Sequence, residues 1–75
     1  MPHAEAELIE KAKRHLKQTY GEDTVVMTVT KNAVVGGTGK LAVDCTVSVG
    51  GQRSDWSKVF HFTNGEITTM DYRRR

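Results

Sequence analysis

The chain has little of what usually staples a small protein together. Its 75 residues include one cysteine and one proline. A lone cysteine, Cys45, excludes an internal disulfide. His3, His15 and His61 are scattered without the paired spacing of a metal site, so no metal or other cofactor is expected. No low-complexity run is present, which argues against disorder. Leu41 to Val43, continued beyond Asp44 by Cys45 to Gln52, is the longest uncharged stretch, too short and too polar to cross a bilayer. The opening Met1-Pro2-His3-Ala4-Glu5 has no basic segment ahead of an apolar one. A cytoplasmic protein without membrane contact is therefore expected. The formal net charge of +2 gives no strong overall field for nucleic acid, although Arg73-Arg74-Arg75 concentrates charge locally.

What is present reads as one globular domain, residues 1–75, with 37% hydrophobic and 27% charged residues. A chain of this length buries only about 60 to 65% of its extended surface. Its core must rest on packing, alone or completed by a partner chain.

From about His3 to Tyr20, Leu8, Ile9, Ala12, Leu16 and Tyr20 recur at spacings of three or four, which predicts an amphipathic helix. Pro2 suits the opening turn and Gly21 the residue just past the end. Glu5, Glu7 and Glu10 precede Lys11, Lys13, Arg14 and Lys17, an order that complements the helix dipole. The pairs Glu7 with Lys11 and Glu10 with Arg14 would add about 0.2 to 0.5 kcal/mol each.

After Gly21 the period changes to two. Val25, Met27 and Val29 predict one apolar face of a strand over about 24–31. A second strand over 41–49 carries Leu41, Val43, Cys45, Val47 and Val49 on one side, with Ala42, Asp44, Thr46 and Ser48 on the other. Gly50-Gly51 turns the chain into a third strand over about 53–63, where Trp56, Phe60 and Phe62 share a parity. Lys58 interrupts that face and is expected near a sheet edge, its ammonium reaching water. Asn64-Gly65 is the strongest short hairpin signal, leading to a fourth strand over about 66–73. There Ile67 differs in parity from Met70 and Tyr72, which predicts either a bulge near Thr68-Thr69 or apolar residues on both faces. The whole reads as α+β: one N-terminal helix packed on a four-stranded antiparallel meander, in two layers.

Val34-Val35-Gly36-Gly37-Thr38-Gly39-Lys40 has the look of a phosphate loop and fails as one. Aligning Gly39-Lys40 with the motif puts Val34 at the first glycine and Leu41 at the hydroxyl position, and the residues that follow alternate as a strand. A mobile glycine-rich hairpin loop is expected, with Val34 and Val35 extending the sheet or exposed at its tip.

Two family resemblances follow from this order of elements. Asn32-Ala33-Val34-Val35-Gly36 is similar to the glutamine-x-valine-x-glycine loop of cystatin-like inhibitors, which implies a cystatin-like roll and protease inhibition. The proline-tryptophan pair of that family has no counterpart, since Pro2 is the only proline and Trp56 lies on a predicted strand. Trp56 to Ile67, continued through Asp71-Tyr72-Arg73, resembles the last hairpin of nuclear-transport-factor-like and polyketide-cyclase-like domains. That resemblance implies a small-molecule pocket, although the chain has room for only one of the helices that wall it.

The face opposite the helix should display Thr28, Thr30, Asp44, Thr46, Ser48, Asp55, Ser57, Val59 and His61. Asp44 or Asp55 near His61, with Ser48 or Ser57, supplies the residue types of an acid-base or nucleophilic site. A flat, wet face supplies no pocket to make them reactive, so no catalytic residue is assigned and the chain is not expected to be an enzyme. Cys45 should be buried and inert. Arg53, Lys58 and Arg73 to Arg75 would form a basic edge for nucleic acid, but a platform for single strands needs exposed aromatics and this face offers only His61. The remaining reading is a non-enzymatic interaction module. Trp56, Phe60, Phe62, Met70 and Tyr72 supply more apolar surface than one helix covers, which favours a homodimer or another protein partner. Candidate contact residues are Val34, Val35, Trp56, Arg73, Arg74 and Arg75.

Overall fold

The computed structural model describes residues 5–75 and shows one helix packed against a four-stranded antiparallel sheet. Helix α1 spans Glu5–Tyr20, and the strands are β1 (Asp23–Asn32), β2 (Gly39–Val49), β3 (Gln52–Thr63) and β4 (Glu66–Arg74). Sheet order follows chain order, so β2 and β3 are interior and β1 and β4 are edges. The expected helix start at His3 and the role of Pro2 lie outside the described residues.

Leu8, Ala12 and Leu16 form the buried stripe of α1. They meet Leu41, Val43, Cys45, Val47, Phe60 and Phe62, all at most 2% exposed, while Met27, Val29, Ile67 and Met70 close the margins. The helix ends where Gly21, at φ 66°, lets its N–H return to the Lys17 carbonyl at 3.1 Å. A helix of 16 residues is about 24 Å long, shorter than the molecule's 38 Å long axis. Tyr20, the last residue of α1, lies beside Lys58, so the part of β3 from Gln52 to Ser57 runs on beyond the helix end.

Two irregularities decide which side chains enter the core. Thr24 pairs with Val47 and Val26 with Thr46, leaving Val25 as an extra residue. This bulge gives the core-facing position to Thr24, and Val25 is half-exposed, contrary to the alternation expected of it. Thr30 is a second extra residue in β1, between Val29 and Lys31. In β4 the expected bulge is present: Ile67 pairs with Phe62 and Thr69 with His61, so Thr68 is extra. Its insertion brings Ile67 and Met70 to the same side despite their sequence parity.

The glycine-rich loop is held at both ends and at its tip by hydrogen bonds. Val35 and Thr38 exchange backbone hydrogen bonds of 2.9 and 3.1 Å across a two-residue turn, with Gly36 and Gly37 at φ 59° and 84°. Gly65 N–H donates to the Gly37 carbonyl at 2.8 Å, and Asn64 N–H to Thr38 Oγ1 at 3.2 Å. Lys11 Nζ reaches the Gly65 carbonyl from the helix. Gly39 cannot be replaced cheaply, because at φ 140° an added Cβ would lie 2.1 Å from the Ala33 carbonyl oxygen. Val34 lies outside the strands and packs against the core margin, whereas Val35 alone fills both roles foreseen, bridging to Thr38 and standing 81% exposed.

Candidate functional site

Lys58 is the centre of the least ordinary region. It lies on interior strand β3 and is 3% exposed, so the expectation of a snorkelling residue near an edge is wrong. Its parity with Trp56 and Phe60 turns it toward the helix, and the chain leaving the Gly21 cap brings Glu22 over it. Lys58 Nζ and Glu22 Oε1 are 2.8 Å apart. The ammonium also lies 5.4 Å from the Tyr20 ring centre and 5.3 Å from that of Trp56. Removing a lysine from water is costly unless it is paired and hydrogen-bonded, and one carboxylate with two ring faces supplies those partners.

The aromatic residues around this ion pair remain partly open to solvent. Trp56 is fixed by its indole N–H, which donates to Ser54 Oγ at 2.9 Å, and by the edge of Tyr72 at a centroid distance of 5.7 Å. The Arg74 guanidinium lies 5.5 Å from the indole ring centre. A cleft of about 210 Å³ is lined by Tyr20, Glu22, Trp56, Lys58, Met70 and Tyr72. Farther along the same flank, Lys11, Arg14, His15, Gln18, Glu66 and Ile67 line a more polar cleft of about 280 Å³. His15 packs edge-on to Phe60 and Tyr20. Burial, reinforced by the charge of Lys58, lowers its pKa from the usual 6.5.

The opposite sheet face holds polar pairs of a different kind. Ser57 Oγ donates to Asp44 Oδ1 at 2.8 Å, and Thr46 Oγ1 to Asp55 Oδ1 at 2.6 Å. His61 Nε2 contacts Asp71 Oδ2 at 2.9 Å, so the carboxylate beside the histidine is Asp71 instead of Asp44 or Asp55. Among the described residues no Asp-His-Ser chain is assembled. A cleft of about 280 Å³ does open on this face, lined by Lys31, Ala33, Lys40, Ala42, Val59, His61 and Asp71. Its lining includes no Ser, Thr or Cys side chain. Cys45 is 1% exposed, and burial raises its thiol pKa, which keeps it protonated and inert. Among the described residues no group of three or more His, Cys, Asp or Glu side chains could hold a metal ion.

The candidate contact residues are divided between distant places. Trp56 and Arg74 meet at the aromatic cleft, whereas Val34 and Val35 stand near the Asn64-Gly65 turn at the other end of the sheet. Arg73 pairs with Ser57 on the open face. Arg75 continues the ladder, its N–H donating to the Asp55 carbonyl at 3.0 Å. The basic edge drawn through Arg53, Lys58 and Arg73 to Arg75 is not formed, because Lys58 is buried on the helix side. Sequence reasoning grouped Trp56, Met70 and Tyr72 as surplus apolar surface but missed Tyr20 and Glu22 as members of the same site. The parity of Lys58 with Trp56, Phe60 and Phe62 was the available signal.

Comparison with family models, with curated proteins and with solved structures finds no match in any of the three. Among the described residues no helix is long and apolar enough to cross a membrane.

Proposed function

We propose that the chain is a small non-catalytic interaction module that self-associates through the flank between the end of α1 and β4. The observation that carries this reading is the aromatic cluster there: Tyr20 is 46% exposed and Tyr72 61% exposed, beside a half-buried Trp56. Aromatic residues of this kind, fixed in place and half in water, are what protein interfaces use as anchors. Lys58 beneath them is already paired with Glu22, so covering the flank does not strand that charge. Catalysis is disfavoured because Asp44, Asp55 and Asp71 on the open face are occupied by Ser, Thr and His partners outside any water-excluding pocket.

Sedimentation equilibrium tests this directly. A monomer–dimer equilibrium that Tyr72→Ser weakens supports the reading, and a strict monomer at millimolar concentration overturns it. Nucleic acid fits less well, because Lys58 is withdrawn from the surface and Asp44, Asp55 and Asp71 interleave with Lys31, Lys40, Arg53 and Arg73 on the open face. Oligonucleotide binding that falls with added salt would favour it over the protein-interaction reading.

A further inference from the structure

The two edges of the sheet differ in a way that singles out one of them. β1 carries extra residues at Val25 and Thr30, and such bulges spoil an edge for pairing with another strand. β4 has its bulge early, at Thr68. From Thr69 to Arg74 it pairs without interruption with His61 to Trp56 on its inner side. Its outer side is the end of the sheet, so a straight run of backbone N–H and C=O groups faces outward with no strand beside it. Proline, which would protect such an edge, does not occur there.

Side chains along this run are self-complementary in one register. Asp71 and Arg73 lie on the open face, opposite Val59 and Ser57, while Met70, Tyr72 and Arg74 lie on the helix face. Strands related by a two-fold axis set residue i against a residue equally far beyond the centre, both on one face. Centring on Asp71 would oppose two carboxylates, and centring on Arg73 two guanidinium groups. Centring on Tyr72 opposes Asp71 to Arg73 twice, Met70 to Arg74 twice, and stacks the two Tyr72 rings. Asp71 Oδ2 is engaged by His61, which leaves Oδ1 for the incoming arginine.

The geometry points to a second copy of this chain as the partner of β4, paired antiparallel across a two-fold axis at Tyr72 to make one continuous eight-stranded sheet. The inference rests on the self-association proposed above and adds the edge, the register and the charge pair. In this arrangement the half-exposed aromatic flanks of both copies border the new seam on the helix side.

Charge reversal tests it with two variants at exposed positions, Asp71→Arg and Arg73→Asp. Each alone opposes like charges across the seam and should raise the dimer dissociation constant roughly tenfold or more. Mixing the two variants restores opposite charges at every position, so a heterodimer forms that neither makes with itself. Far-UV circular dichroism and thermal melting check that both variants keep the fold, and Arg73→Lys, which retains the charge, should still dimerise. Hydrogen exchange supplies the second readout: amides on the outer side of β4 should slow in the dimer, while those of β1 do not. A wild-type dimer untouched by either reversal, or one whose outer β4 amides exchange as fast as those of β1, overturns the edge and register and leaves self-association standing. A wild-type chain that stays monomeric overturns both.

Discussion

Ser57 and Lys58 are neighbours on β3, and each gives a hydrogen bond to a carboxylate at 2.8 Å. Their side chains point to opposite faces of the sheet, and that alone makes the two bonds physically different. The Ser57–Asp44 bond joins two half-buried side chains on the face that no helix covers, where water can replace either partner. The Lys58–Glu22 bond lies where the lysine is 3% exposed and its partner 13%. Water has little room to substitute there, so the penalty for losing one partner far exceeds the benefit of having both. One strand thus carries a pair that fixes structure and a pair that decorates a surface.

The largest expected effect follows from breaking the buried pair. Glu22→Ala leaves an ammonium without its counter-ion under Tyr20 and Trp56, and should cost about 3 to 5 kcal/mol. A chain of this size has roughly 4 to 11 kcal/mol of total stability, so urea melts should show a severely weakened protein. Lys58→Met together with Glu22→Leu removes both charges and should return stability to near the wild-type level. If the double variant is as weak as Glu22→Ala, the cost lies in lost packing and not in a stranded charge.

A smaller effect of opposite sign comes from Thr24 on the same face. The bulge at Val25 turns its hydroxyl inward, where Oγ1 is buried without a hydrogen-bond partner. Thr24→Val replaces that oxygen with a methyl group of similar shape and should raise stability by about 1 kcal/mol. An unchanged or lower urea midpoint would mean that the hydroxyl is satisfied in solution.

On the wet face the corresponding change is minor. Asp44→Ala removes the acceptor of Ser57 and should cost about 0.5 to 1 kcal/mol, with no change in fold by circular dichroism. A loss as large as that of Glu22→Ala would erase the distinction between the two faces.

How far the sequence discloses this contrast depends on the range of the signal. Helix α1, the four strands, the Asn64-Gly65 turn and the bulge at Thr68 are written in local periodicity and turn chemistry. The parity of Leu41 to Val49 sorts the faces of β2 correctly. The bulge at Val25 is not legible, because Thr24 and Val25 both suit a strand and only pairing with Val47 and Thr46 shows which residue is extra. Lys58 has the parity of a core residue, but its burial depends on Glu22, which lies 36 positions away. The docking of Gly37 on Gly65 likewise joins two turns that local reading treats separately. Pairwise contacts between distant segments carry most of the candidate site, which is why Trp56 and Tyr72 are legible together as surplus apolar surface while Tyr20 and the Lys58–Glu22 ion pair are not.

The finest test of the helix side is electrostatic. His15 packs against Phe60 and Tyr20, and its pKa is lowered first by burial and then by the charge of Lys58. As pH falls below the usual 6.5, the unfolded chain takes up a proton that the folded chain still refuses. The unfolded state is therefore favoured, and stability should drop until the pH reaches the lowered folded value, below which the drop from this group stops. His15→Gln removes the titration, so its stability should decline less than that of wild type between pH 7.5 and 5. Removing the charges with Lys58→Met and Glu22→Leu should shrink the His15 contribution without abolishing it, because burial is the larger cause. Parallel pH curves for wild type and His15→Gln would show that burial and the charge of Lys58 do not hold this ring neutral in the folded chain, and that the helix side does not hold its charges apart from water.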